Sequence, residues 1–138
     1  MELVAEIERL ARLVQALEDE ESLDPGETAR LRKDIRELAE RGGAAFVEAV
    51  LGAVKKGRVT QTAAVELFRL AGEELGDSGD EAWEAARSVL DGVSPRLRYG
   101  LLVLMREVNE EKTRPILQER ASSDPDAVLR TVMLGMLE

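Results

Sequence analysis

The chain has 138 residues, 44% apolar and 34% charged, with 28 acids against 19 bases and neither cysteine nor histidine. A chain of this size forms a single domain that buries roughly two thirds of its unfolded surface, and its Ala, Leu, Glu and Arg usage predicts an all-α protein while excluding collagen-like and disordered classes. Without His or Cys, structural zinc and iron–sulfur or haem ligation are excluded and no cofactor is expected.

Eight helical segments follow in chain order. The first, about residues 2–21, repeats Leu3, Ile7, Leu10, Val14 and Leu17 at alternating spacings of four and three, which lines one face of a helix. Asp24 as N-cap with Pro25 at the first helical position opens a second, bearing Leu31, Ile35 and Leu38 and stopped by Gly42 and Gly43. A third runs from about 44 to 56 on Phe46, Val47, Val50, Leu51 and Val54, and ends with Lys55, Lys56 and Gly57 where the helix dipole favours cations. Thr60 or Thr62 caps the fourth, which reaches Leu75. Ser78 with Glu81 reads as a capping box for the fifth, and Ser94-Pro95 opens the sixth. Asn109 caps the seventh, about 110–121, and Asp124-Pro125 opens the eighth, which carries Val128, Leu129, Val132, Met133, Leu134, Met136 and Leu137.

Connections this short turn successive helices antiparallel. The pairing is therefore about 2–41, 44–75, 79–108 and 110–137, with pair starts spaced as in helical-repeat proteins. One signal occurs twice, a hundred residues apart: Asp24-Pro25 followed by Arg30, and Asp124-Pro125 followed by Arg130. In the last two pairs Leu97-Arg98 with Leu102 also answers Leu129-Arg130 with Leu134.

The chain resembles the HEAT-repeat family, most strongly over residues 79–138. Pro115, Asp124 and Arg130 stand where that family places its kink proline, turn aspartate and laddering arginine. The resemblance implies a right-handed stack of about eight antiparallel helices, an α-α superhelix used mostly as a binding scaffold. The first pair keeps Asp24 and Arg30 but lacks the proline, the second has no turn aspartate, and Asp91 and Arg98 of the third are out of step. Arg30 and Arg130 are each expected to bond near the turn holding Asp24 or Asp124, or to reach the neighbouring repeat.

Charge is distributed in blocks. Residues 1–24 hold eight acids and two bases, and residues 58–93 hold eight and three. Lacking a dominant basic face, the chain is a poor candidate for nucleic acid or an anionic membrane, whereas a basic protein surface would be steered toward it. No apolar run approaches the ~18 residues of a membrane span, and the first segment lacks a signal peptide's apolar block, so a cytoplasmic location is expected.

Catalytic readings fail on chemistry. Gly76-Asp77-Ser78-Gly79 is similar to the nucleophile segment of chymotrypsin-like proteases, but that reaction needs an imidazole to accept the hydroxyl proton. Ser78 therefore reads as a helix cap. Ser-Lys catalysis requires a lysine of depressed pKa, and Lys33, Lys55, Lys56 and Lys112 sit at exposed or terminal helix positions. The stretch Glu73, Glu74, Asp77, Asp80, Glu81 and Glu84 lacks EF-hand spacing, and no metal is assigned to it. Lys55, Lys56 and Arg58 complement a helix C-terminus rather than mark a phosphate site.

Three functions remain. The first is a non-catalytic protein-interaction or scaffold module, binding a partner or a second copy through Val132, Met133, Leu134, Met136 and Leu137 of the uncovered last helix. The second is an acidic inhibitor or nucleic-acid mimic whose contact residues would be Glu18, Asp19, Glu20, Glu21, Glu73, Glu74, Asp77 and Asp80. A HEAT-like enzyme of the DNA-glycosylase kind is the third, and the charge balance argues against it. The interaction module, not an enzyme, is the preferred reading.

Overall fold

The computed structural model describes residues 3–18 and 25–138, and among these it contains helices and no strand. The helices are α1 (Leu3–Glu18), α2 (Pro25–Gly42), α3 (Ala44–Lys55), α4 (Gln61–Leu75), α5 (Asp80–Val89), α6 (Pro95–Val108), α7 (Glu110–Ser123) and α8 (Ala127–Met136). Single 3₁₀ turns follow α4 at Gly76–Ser78 and α5 at Leu90–Gly92.

Local chemistry explains most of the starts. The Thr60 hydroxyl accepts the Ala63 amide at 3.1 Å, Ser94 accepts Leu97 at 3.4 Å, and the Asn109 carbonyl oxygen accepts Lys112 at 3.0 Å. Each satisfies an amide that the first helical turn leaves without an intrahelical partner. Two expected caps are corrected. Gly79 precedes α5, and the Ser78 hydroxyl instead donates back to the Leu75 carbonyl at 2.7 Å, closing the 3₁₀ turn. Asp126, not Asp124, caps α8 by accepting the Leu129 amide at 2.8 Å, while Asp124 ends α7. Asp24, expected to cap α2, lies outside the described residues, as do Asp19, Glu20 and Glu21.

Neighbours in sequence pair as α1 with α2, α3 with α4, α5 with α6 and α7 with α8, and the pairs also meet one another. α2 packs on α4 and α4 on α6; α1 packs on α3 and α3 on α5; α1 additionally reaches α4. The α4–α6 interface is the most extensive, and two glycines set its closeness. A Cβ on Gly72 would come within 3.0 Å of the Leu104 backbone, and one on Gly100 within 3.2 Å of the Val65 backbone. Their bare backbones let the two helices approach. Phe46 of α3 meets Phe68 of α4 edge to face at 6.4 Å between ring centres, the geometry that aromatic quadrupoles favour.

α6 is apolar because it is covered from several sides. Leu101, Leu102, Leu104 and Met105 are buried, Tyr99 and Val103 partly so, and α6 touches α4, α5 and α7. The last hairpin is attached differently. α7 packs on α6, but neither α5 with α7 nor α6 with α8 packs closely along its length. Side chains bridge those gaps instead. Trp83 of α5 donates its indole N–H to the Thr113 hydroxyl at 2.9 Å, and the Lys112 ammonium lies 4.2 Å from the Trp83 ring centre. No described helix is long and apolar enough to cross a membrane.

Candidate interaction surface

The uncovered apolar face predicted for the last helix is narrower than the sequence implies. α8 turns Leu129, Met133 and Met136 onto the core, leaving Met133 and Met136 only 0% and 9% exposed. Both methionines are therefore withdrawn from the outward surface: α7, lying alongside, covers that face of α8. Val132 and Leu137 are half-buried. What remains outward are Leu134, 55% exposed, and Val128 in the first turn, 74% exposed. They are the exposed large hydrophobics among the described residues.

Asp124 gathers the charged groups of the last hairpin. Its carboxylate accepts two bonds from Arg98 of α6, from Nε at 2.7 Å and Nη2 at 2.9 Å, and both side chains are buried. Arg98 Nη1 donates to the Val93 carbonyl at 3.0 Å, the Asp126 amide donates to Asp124 Oδ1 at 2.9 Å, and Arg120 stands 3.8 Å away. Arg130 donates to the Asp124 backbone carbonyl. The two arginines that align in sequence thus converge on one turn from two successive hairpins. Burial pushes the Asp124 carboxyl up, but the bonds from Arg98 and Asp126 and the charges of Arg98 and Arg120 outweigh it and hold the group below its ordinary value. Paired in this way, Asp124 is a structural lock.

Arg130 bonds at the turn holding Asp124, as expected. Arg30 is exposed, and the turn with Asp24 that it is expected to meet lies outside the described residues. Pro115 lies inside α7 on its exposed side.

Arg98 is the residue that sequence reasoning undervalued. An arginine inside the apolar pattern Leu97, Leu101, Leu102 is a charge headed for burial, which demands a partner. That signal was present in the sequence.

The acidic block is largely engaged within the molecule. Glu73 meets Arg69 at 2.9 Å and Arg32 at 3.2 Å, Glu74 lies 3.9 Å from Arg32, and Glu84 lies 3.6 Å from Lys112. The Arg69 guanidinium is raised chiefly by its bond to Glu66, against the cost of burial, with Glu73 adding to it. Asp77 and Asp80 are exposed, and the side chain of Glu18 is not described. No group of three acids with metal-holding geometry occurs among the described residues. Of the basic cluster, Arg58 pairs with Glu8 at 3.1 Å, while Lys55 at the end of α3 and Lys56 just after it are exposed.

One cleft lies where the helix layers part. It occupies about 410 Å³ beside α5 and α7, and its lining includes Arg87, Leu90, Asp91, Ile116, Glu119, Arg120, Asp124 and Pro125. Compared with family models, curated proteins and solved structures, the chain finds no match.

Proposed function

We propose that the chain is a non-catalytic protein-interaction module, a HEAT-like stack of helical hairpins that presents surface rather than chemistry. The order of neighbours, α1 to α3 to α5 on one side and α2 to α4 to α6 on the other, supports the stacked reading. The chain holds neither histidine nor cysteine to act as base or nucleophile, which favours contact over catalysis.

The carrying observation is the outward exposure of Val128 and Leu134 on α8. Burying a side chain of this size against a partner stabilises a complex by roughly 1.5–3 kcal/mol. The engagement of Glu73, Glu74 and Glu84 by Arg32, Arg69 and Lys112 weighs against the acidic-mimic alternative. The test is Leu134→Glu, read by light scattering and by capture from native lysate. Because Leu134 is exposed, the variant should melt as the parent does while losing its dimer or its captured protein. Unchanged mass and unchanged capture would refute this reading. Met133→Glu, by contrast, strikes the core and would report on folding instead.

A further inference from the structure

The outward stripe of α8 is uncharged. At about 100° of rotation per residue, Ala127, Val128, Thr131, Leu134 and Gly135 fall on one arc of about 120° centred on Thr131, opposite the buried Leu129, Met133 and Met136. All five are exposed. A Cβ on Gly135 would meet nothing within 4 Å, so the space before it is open. The Thr131 hydroxyl donates to the Ala127 carbonyl at 3.4 Å within the helix, and covering it therefore strands no donor.

We infer that this stripe receives the α8 of a second copy, running antiparallel about a two-fold axis at Thr131. The inference rests on the interaction-module reading and names the partner of the surface on which that reading relies. A two-fold interface must be self-complementary, and this stripe is. Across such an axis, residues on the same flank of the stripe and at opposite heights meet. Leu134, three residues beyond Thr131, falls against the partner's Ala127, and Val128, three residues before it, falls against the partner's Gly135. Each large side chain thus lands on a small one. The α4–α6 interface is built in the same manner, with Gly72 against Leu104 and Gly100 against Val65.

Charge favours a second copy over other partners. The net charge of −9 lies wholly in residues 1–93, with 21 acids against 12 bases, while residues 94–138 hold seven of each. Two like-charged copies therefore approach with least opposition through the neutral portion that carries α8. A basic partner is drawn instead to the acidic block at residues 58–93. The contact is short, since α8 has ten residues and brings together four large apolar side chains, two from each copy. It buries less than the ~1,600 Å² of a standard interface, and the dimer is accordingly weak, with a dissociation constant on the order of 0.1–1 mM.

Sedimentation equilibrium of the full chain from about 0.01 to 2 mM, a range that brackets this constant, is the test. A reversible monomer–dimer equilibrium is expected, with no larger species. Leu134→Glu should leave only monomer, because each copy would bury an unpaired carboxylate. Gly135→Leu separates the two-fold register from general stickiness. It adds apolar surface and a better helix former, so indiscriminate association would strengthen. Filling the recess for Val128 should instead weaken the dimer by about tenfold, with thermal unfolding not lowered. A parent that stays monomeric throughout, a dimer undiminished by Leu134→Glu, or one undiminished by Gly135→Leu overturns the proposal, as do open-ended oligomers. A monomeric parent whose Leu134→Glu variant still loses its captured protein overturns the second copy and leaves the interaction module standing. That module fails on a different result, unchanged mass together with unchanged capture.

Discussion

Arg98 carries a charge into the interior, and its energetic role follows from what surrounds it. Two short bonds to Asp124 and one to the Val93 carbonyl leave no buried side-chain nitrogen or oxygen without a partner among the described residues. Cutting Arg98→Ala leaves the Asp124 carboxylate buried with Arg120 as a more distant cation, and removing one partner of a buried pair costs about 3–5 kcal/mol. Replacing both residues by apolar ones of similar size is a smaller perturbation, since no buried charge is orphaned. Urea denaturation of Arg98→Ala and of a double Arg98→Met, Asp124→Leu variant tests this order of effects. If the single variant were the more stable of the two, Asp124 would not be the buried lock described above.

At the scale of elements, the helices were legible and their mutual spacing was not. Thr60, Ser94 and Asn109 disclose their helices because a cap is local chemistry between residues three apart. Asp124 and Asp126 flank the same proline, so either could have capped α8, and tertiary structure assigns Asp124 to the buried ion pair instead. The outward face of α8 was misjudged at Met133 and Met136 for a related reason. An apolar pattern shows that a face is buried but not how far α7 wraps around it. The α5–α7 cleft had no sequence signal, because it arises from the distance between two helices. That looser attachment has a dynamic consequence. α8 is joined to the rest mainly through α7 and the Asp124 bonds, so α7 and α8 should open as a unit at lower free energy than α4 and α6. Hydrogen exchange checks it: Leu129 and Met133 amides should lose protection before those of Leu67 and Leu101. Equal protection in both hairpins would contradict a separately opening unit.

For the whole molecule, acid acts through charge balance and through Asp124 together. At neutral pH the net charge is −9, and protonating all 28 acids would leave 19 uncompensated cations that repel one another. The Asp124 contribution has a definite sign. Its folded carboxyl titrates below its ordinary value, so the stability it confers is fully present above the unfolded value near pH 3.9 and is lost as pH falls through the folded one. General charge repulsion acts on every variant alike, whereas this linkage acts only where residue 124 ionises. Asp124→Asn keeps the side chain's shape but removes the titration, and it leaves Arg98 without a counter-charge. The variant should therefore be less stable than the parent at neutral pH, and the difference should shrink as pH drops below about 4. Urea unfolding of both proteins across that acid range measures the difference directly. A gap between them that stayed constant with pH would mean that Asp124 ionises no more readily in the folded chain than in the unfolded one.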